Sequence, residues 1–299
     1  MNQRAVAPLL ISGASLLFAS MGVCVKLASA QYGAGEIVMY RGLVGLLLMG
    51  SLMRWRGDSL RTPIPAAHFW RSLSGVMALC LWFYSIGGLP LATAVTLNYM
   101  SSVWMALFLI GGAVMLGGRS IDGGLVMAVM AGFVGVALVL RPTIDQNQLW
   151  HGLCGLMSGM LSAMAYLQVT ALGRAGEPET RVVFYFSLGG VVAGLLITAV
   201  AGGPHAHTLR GVLLLLAIGV LATTAQWMMT RAYALGRTLN IAALQYLGIV
   251  FSFGYGVWLF DDPVTLMALA GMLLIVAAGV AATLLRGRNQ DDSPNPTET

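Results

Sequence analysis

Ten long runs of mainly apolar residues follow one another along the 299-residue chain, separated by short polar or glycine- and proline-containing breaks. A helix needs about 20 such residues to cross the hydrocarbon core of a bilayer, whereas a membrane strand alternates apolar and polar residues over about 10 positions. The continuous runs therefore predict an all-α polytopic membrane protein with ten transmembrane helices. The predicted spans are residues 6–29, 34–53, 69–88, 91–116, 121–140, 150–173, 180–201, 209–235, 239–260 and 264–285.

The composition excludes the soluble classes of protein. Hydrophobic residues make up 58% of the chain and charged residues 9%, with a mean hydropathy of +0.82, against roughly 45–50% and about 25% in soluble domains. Cys24, Cys80 and Cys154 lie far apart in apolar runs and are predicted to be reduced thiols. No metal-ligand, nucleophile or nucleotide-binding motif occurs, so the sequence predicts neither an enzyme nor a cofactor nor a metal.

The positive charges predict the orientation in the membrane, and they require no nucleic-acid partner. With ten spans both termini lie on one side, and that side receives 11 of the 16 Lys and Arg residues against two on the other. By the positive-inside rule, both termini are cytoplasmic and the protein is a multi-pass protein of a bacterial inner membrane. The residues assigned to the cytoplasmic side are Arg4, Arg54, Arg56, Arg61, Arg71, Arg119, Arg174, Arg181, Arg237, Arg286 and Arg288.

A weak internal repeat relates the two halves of the chain. Residues 83–132 align with residues 230–279 at a constant offset of 147, which places Asn98 and Tyr99 on Gln245 and Tyr246. A unit of five crossings ends on the opposite side of the membrane from its start, so its copy enters inverted. Inverted repeats are typical of secondary transporters, in which the substrate site lies near the midplane between the halves.

This repeat sets the predicted domain organisation. We expect one five-helix repeat over residues 5–142 and a second over residues 148–286. The polar, proline-containing segment 289–299 is predicted to be a disordered cytoplasmic tail. Because the two repeats already supply both halves of a carrier, a monomer is sufficient.

Several short motifs resemble the EamA-type domain of the drug/metabolite transporter superfamily. They are Phe18–Gly22, Val25–Leu27, Tyr40–Arg41 and Phe260–Thr265, with Gly271 and Gly279. The resemblance implies ten helices from two inverted five-helix repeats. Within the superfamily, the chain looks most like the YddG-like exporters of aromatic amino acids and related metabolites.

The chain departs from the EamA pattern in two respects. An acidic residue often found after the fourth span is replaced by Gly117–Gly118, and a proline often seen midway along the fourth and ninth spans is absent. Met100–Ser101 and Leu247–Gly248 stand at the two proline positions.

Ionisable residues inside membranes are costly and usually functional, so their distribution constrains the mechanism. All carboxylates and imidazoles fall at predicted span ends, in loops or in the tail, which favours gradient-driven movement or exchange over proton coupling. Coupling through a boundary residue such as Glu36 is the alternative. Lys26 and Arg231 are predicted to extend to the membrane interface. Arg41 is predicted to pair with backbone carbonyls or Glu36; attraction of a substrate carboxylate is the alternative.

Neutral polar and aromatic residues are therefore the candidate substrate-binding residues. Tyr99 and Tyr246 would face each other across a central cavity, with Asn98 and Gln245 beside them. The resemblance implies that spans 1, 3, 4, 6, 8 and 9 line that cavity. These spans add the candidates Trp82, Tyr84, Trp104, Tyr166, Gln226 and Trp227. Packing between helices or in an interfacial belt is the alternative for these aromatic residues, and it is favoured for Trp82 and Tyr84.

An aromatic cavity without a fixed charge pair suits small amphipathic solutes. The sequence thus predicts a carrier that exports aromatic or hydrophobic amino acids, or similar metabolites, by alternating access. Its partners would be that small molecule and membrane lipid. The alternatives are a transporter of nucleotide sugars or lipid-linked sugars, a non-transporting membrane subunit of a lipid-modifying enzyme, or a channel.

Overall fold

The computed structural model describes residues 3–115, 123–145, 148–235 and 244–291, and the regular elements in these ranges are all α-helices. They are α1 (Gln3–Ala28), α2 (Ala34–Arg56), α3 (Pro65–Gly88), α4 (Leu91–Tyr99), α5 (Ser101–Met115), α6 (Gly123–Asp145), α7 (Leu149–Arg174), α8 (Glu179–Val200), α9 (Leu209–Leu235), α10 (Leu247–Phe260) and α11 (Leu266–Asp291). In the part of the chain that is described, α1, α2, α7, α8 and α9 are long and apolar enough to cross a bilayer by length and composition. The prediction of an all-α membrane protein is confirmed.

The fourth predicted span is divided, so α4 and α5 together form one of the ten crossings. At Met100 the helical pattern changes to a tight turn, in which the Met100 N–H donates to the Leu97 carbonyl over 3.3 Å. A turn at Tyr246 likewise precedes α10, at the position that the offset of 147 relates to Tyr99. Of the predicted ninth span, residues 239–243 lie outside the described ranges.

Several helix ends differ from the prediction, and two of them bear on the site and the tail. Helix α3 begins at Pro65 rather than residue 69, because proline is well suited to the first turn of a helix. Helix α11 continues to Asp291, so residues 289–291 of the predicted disordered tail are helical. No proline occurs between Pro263 and Pro294 to end the helix at the membrane boundary.

The helix contacts show a twofold relation between the halves. When the halves are exchanged, the first crossing maps onto the sixth, the second onto the seventh, and so on. The extensive α1–α9 and α3–α7 contacts then exchange with each other, whereas α2–α8, α6–α11 and α4–α10 each map onto themselves. With five crossings in each half, this contact pattern is that of two inverted repeats.

Glycines set how closely paired helices approach. A Cβ atom at Gly194 of α8 would lie 2.6 Å from the Gly35 carbonyl oxygen of α2, and one at Gly42 of α2 would lie 2.7 Å from the Ser187 carbonyl oxygen of α8. Because these neighbours are backbone atoms, they cannot move aside without displacing a helix. The α2–α8 pair, which joins the halves, therefore depends on small residues, as is common within membranes.

Replacing Gly42 with Ala is expected to separate α2 from α8 and to lower the free energy of unfolding by roughly 1–3 kcal/mol, the usual cost of overpacking. Thermal unfolding of the purified protein in detergent measures the change. Gly173→Ala is the matched control, since a Cβ atom at that helical glycine would meet no atom within 4 Å. Equal melting temperatures for the two variants would contradict the packing argument.

Candidate functional site

A cavity of about 60 Å³ lies midway along the helices, between the two halves. Helices α1 to α4 of the first half and α7, α8 and α9 of the second form most of its wall. The wall contains the aromatic residues Phe18, Trp82, Tyr99, Tyr166 and Phe186 and the neutral polar residues Asn98, Ser162, Gln226 and Gln245. This is the position in which inverted-repeat carriers bind their substrates.

Six of the ten predicted substrate-binding residues border this cavity, and their role in binding stays a prediction. They are Trp82, Asn98, Tyr99, Tyr166, Gln226 and Gln245. The sequence favours an interfacial belt for Trp82, but its side chain is buried at the cavity. Membrane depth estimated from a span boundary does not reveal which face of the helix a side chain occupies.

Hydrogen bonds hold the polar part of the wall together across helices. The Asn98 amide of α4 donates to Ser158 over 2.9 Å and to Ser162 over 3.1 Å, both on α7. The Gln245 amide donates to the Tyr166 hydroxyl, also on α7, over 3.3 Å. A Cβ atom at Gly159 would lie 2.6 Å from the Leu97 carbonyl oxygen, so α7 meets the backbone of α4 just before its break. The two broken crossings thus share one support in α7.

The expectation that Tyr99 and Tyr246 face each other across the cavity is wrong. Their rings touch edge to face, with centroids 6.3 Å apart and planes at 82°. Tyr99 borders the cavity, whereas the Tyr246 ring lies behind it, with its hydroxyl against Gly279. A glycine without a side chain leaves the room that the Tyr246 ring occupies between helices.

Three further candidates are not among the residues that border the cavity. Each packs against another side chain, as the alternative to substrate binding predicts. Tyr84 is 42% exposed and stacks on His151, with ring centroids 4.6 Å apart. Trp104 packs edge to face on Phe133. Trp227 lies beneath Arg231, whose guanidinium carbon is 5.4 Å from the ring centroid, so Arg231 has an aromatic partner within the protein.

Two arginines that are not among the ten predicted substrate-binding residues also line the cavity, although the sequence offers attraction of a substrate carboxylate as an alternative role for one of them, Arg41. Arg41 and Arg71 are only 4% and 3% exposed. The predicted place of Arg71 on the cytoplasmic side is wrong, because α3 begins at Pro65 and carries Arg71 nearly two turns into the helix. The expected cavity without fixed charge is therefore also wrong. The sequence does contain a signal that places Arg71 inside the helix: Pro65 is a good first-turn residue and predicts an early start of α3.

The predicted extension of Lys26 to the membrane interface stays a prediction, and the structure adds a partner for this residue at the predicted outer end. Its ammonium group forms an ion pair with Asp262 at 2.8 Å, and Asp262 also accepts the Leu91 N–H over 2.9 Å. Asp261, in the left-handed conformation, ends α10 and turns the chain toward this contact. The outer ion pair, as we call Lys26 with Asp262, joins α1 and the start of α4 to the second half at the predicted outer end.

A second contact between the halves lies at the same end. The Glu36 carboxylate is buried at the start of α2 and lies 2.9 Å from His205 Nδ1, in the segment between α8 and α9. His207 of that segment lies 2.7 Å from the Tyr40 hydroxyl. Glu36 therefore pairs with His205 and not with Arg41, for which the sequence predicts either Glu36 or backbone carbonyls as partners.

The opposite, predicted cytoplasmic end carries an inner network around Glu177. The Glu177 carboxylate accepts from Thr62 over 2.7 Å and from Arg181 over 2.9 Å, and Arg181 also donates to the Ser59 carbonyl. Burial raises the pKa of the Glu177 carboxyl, but the bonds from Thr62 and Arg181 and the Arg181 charge outweigh it and hold the pKa below its usual range. Polar contacts thus join the two halves at both ends of the bundle.

A fold of ten crossings in two inverted halves, with a cavity at the midplane and inter-half contacts at both ends, defines a secondary transporter. The EamA-like transporter family matches residues 6–141. The chain is 35% identical over 271 residues to a pseudopaline exporter of Pseudomonas aeruginosa, an alignment that covers 90% of this chain and 92% of the relative. The chain belongs to the EamA-like transporter family, and it is a transporter rather than an enzyme.

Two further comparisons extend this assignment. A riboflavin transporter of Rhizobium johnstonii is 28% identical over 83% of this chain and 79% of its own length. A crystal structure that is 18% identical, covering 96% of this chain and 99% of its own, superposes with a TM-score of 0.66 and supports the fold. The two relatives named above are a pseudopaline exporter and a riboflavin transporter, so the expected closeness to YddG-like exporters is not supported.

Asp262→Asn is expected to open the predicted outer end, because it removes the charge that pairs with Lys26 and weakens the cap on α4. If the free energy that favours the closed state falls by about 1.4 kcal/mol, a cysteine in the cavity should be labelled roughly tenfold faster. The measurement is labelling of Ser162→Cys, in a background lacking the three native cysteines, by a membrane-impermeant maleimide. Asp58→Asn, an exposed acid at the other end, is the control. An unchanged rate would show that the outer ion pair does not close the cavity.

The low pKa of Glu177 predicts a pH dependence of stability. Its folded-state pKa lies below the ordinary value of 4.5, so its stabilising contribution is complete above pH 4.5 and disappears as the pH falls through the folded-state pKa. We expect Glu177→Gln to lower the melting temperature at neutral pH and to flatten its decline between about pH 5 and pH 3. Glu179→Gln should behave like the unmodified protein. Identical curves for the two variants would show that the Glu177 carboxylate does not supply this stability.

Proposed function

We propose that this transporter is an alternating-access carrier that exports small amphipathic metabolites of the amino-acid class across a bacterial inner membrane. The observation that carries the proposal is the central cavity between the halves, which aromatic side chains and amides line. Polar contacts join the halves at both ends of the bundle. Separating the contacts at one end at a time would expose the cavity to each side in turn.

The size of the cavity supports such a cycle. Ligand sites usually measure about 300–1,000 Å³, and this cavity measures about 60 Å³. A substrate therefore enters only when the two halves separate at one end. The outer ion pair and the inner network are the contacts that this separation would break in turn.

The cavity wall favours a substrate with an apolar body and a polar group. Phe18, Trp82 and Tyr99 offer ring surfaces for stacking. Asn98 and Gln226 offer both donors and acceptors to a polar group. The relatives named as a pseudopaline exporter and riboflavin transporters act on small molecules and support this substrate class in outline.

Movement down a gradient, or exchange, is the proposed energetic mode. Among the residues described at the cavity there is no carboxylate or imidazole to carry a proton. Glu36 is buried, but it pairs with His205 at the predicted outer end rather than at the cavity. The proposed sidedness, with both termini cytoplasmic, rests on the distribution of basic residues along the chain.

A riboflavin-like aromatic heterocycle is the second candidate substrate. The observation that favours it is the number of aromatic rings in the wall, together with the riboflavin transporter among the relatives. Nucleotide sugars and lipid-linked sugars are weaker candidates.

Counterflow in proteoliposomes tests the carrier mechanism. Unlabelled L-phenylalanine inside should accelerate entry of labelled L-phenylalanine, since only a protein that alternates couples the two movements. A parallel arm uses riboflavin, and each arm is run with and without a pH gradient. No acceleration with either compound contradicts the proposal; accumulation driven by the pH gradient alone contradicts gradient-driven movement of the substrate itself.

Two tyrosine variants identify the site of transport. Tyr99→Ala should slow counterflow about tenfold or more, the usual effect of removing a central aromatic contact. Tyr84→Ala, on the exposed face of α3, should retain the original rate. Gln226→Leu provides a second cavity variant, should Tyr99→Ala lower the melting temperature. Equal rates for all variants would place transport elsewhere in the molecule.

A further inference from the structure

Two buried arginines reach the central cavity from opposite ends of the bundle. Arg41 belongs to α2, which begins at the predicted outer end, and Arg71 belongs to α3, which begins at the opposite end. Both side chains are at least 96% buried and both border the cavity. Charged groups within membranes are rare and usually mark a substrate or ion pathway.

A single aromatic ring contacts both guanidinium groups. The Cζ atoms of Arg41 and Arg71 lie 5.0 Å and 4.3 Å from the centroid of the Phe186 ring on α8. The two positive groups are therefore within 9.3 Å of each other, the sum of those distances. A ring face attracts a cation, but it supplies no negative charge to neutralise one.

No acidic side chain in the described ranges forms an ion pair with either arginine. The acids nearest the ends of the cavity have other partners: Asp262 pairs with Lys26, Glu36 with His205, and Glu177 with Arg181. Within the same ranges, Nε of Arg41 and both Nε and Nη1 of Arg71 are buried without a hydrogen-bond partner. Two unpaired like charges in a low-dielectric interior oppose folding, so a stabilising role does not account for them.

The position of Arg71 also depends on its surroundings. A Cβ atom at Gly75, one turn further along α3, would collide with Arg71 Nη1 and would lie 3.0 Å from the Phe186 ring. Glycine at this position therefore leaves the space in which the guanidinium group lies against the ring and beside the cavity.

We propose that Arg41 and Arg71 form a carboxylate-binding subsite, so that the transported molecule carries a carboxylate group which the two guanidinium groups neutralise in the central cavity. The guanidinium fork matches a carboxylate in bidentate geometry, which makes arginine the side chain best suited to this contact. The aromatic wall then receives the apolar part of the same molecule. This inference rests on the proposed function, and it adds the anionic group that an aromatic, amide-lined cavity alone does not require.

Pairs of acids and amides test the subsite whatever the natural substrate is. The probes are L-phenylalanine with L-phenylalaninamide, and benzoate with benzamide, so that each pair differs in the carboxylate alone. Binding to the purified protein is measured from the shift in melting temperature across a concentration series. We expect the acid of at least one pair to bind about tenfold to hundredfold more tightly than its amide, the usual effect of a hydrogen bond to a charged group.

Arg41→Gln and Arg71→Gln should abolish this preference, while their melting temperatures without probe stay equal to or above that of the unmodified protein. That combination distinguishes a binding role from a structural one, because a structural arginine would lower stability when removed. Arg210→Gln, at an exposed position of α9, is the matched control and should keep the preference. Gly75→Ala should weaken the preference while retaining both charges.

Three results would overturn the subsite. They are equal binding of acid and amide in both pairs, an acid preference that survives both Gln variants, or a lowered melting temperature in both. A parallel arm with inorganic phosphate adds a fourth: arginine-dependent stabilisation by phosphate but by neither acid would assign a phosphate site instead. An acid preference without counterflow would leave the subsite standing and refute the carrier, whereas counterflow without acid preference would refute the subsite alone.

Discussion

The hydrocarbon core of a bilayer offers no hydrogen-bond partners, and this constraint governs where polar groups lie in the molecule. The backbone meets it by forming helices, and the ion pairs of the described residues lie at the two ends of the bundle rather than midway along it. The outer ion pair, the Glu36–His205 contact and the bonds of the inner network to Thr62 and Ser59 all join one half to the other. The surface between the halves, along which the proposed transport cycle would move them, is therefore also the surface on which these polar contacts lie.

The architecture can be predicted from the hydropathy of the chain and from the odd number of crossings in each repeat. The ten apolar runs predict the crossings, and an odd number of crossings per repeat makes the second half inverted. The sequence does not predict the breaks at Met100 and Tyr246, because neither position carries the proline that commonly interrupts a helix. Turns at related positions of the two halves, next to a site at the midplane, are nevertheless a recurring feature of transporters.

Only part of the site can be predicted from the sequence. Asn98, Tyr99 and Gln245 follow from polar residues at equivalent places in the repeat, and the structure puts all three at the cavity. The charged contacts depend on which distant segments meet: Lys26 and Asp262 are separated by 236 positions. Arg71 is misplaced for a different reason, since a shift of four residues in a helix start moves a side chain from the interface into the interior.

Two fixed positive charges midway across a membrane would also couple any motion that carries them along the membrane normal to the membrane potential. A motion that carries one elementary charge across the whole field exchanges about 2.3 kcal/mol with a potential of about 100 mV, and partial motions exchange a proportionate share. Arg41 and Arg71 lie on helices that start at opposite faces, so a rearrangement of either helix displaces charge along the field. A bound anion cancels part of that charge, so the electric field acts differently on the loaded and the unloaded protein.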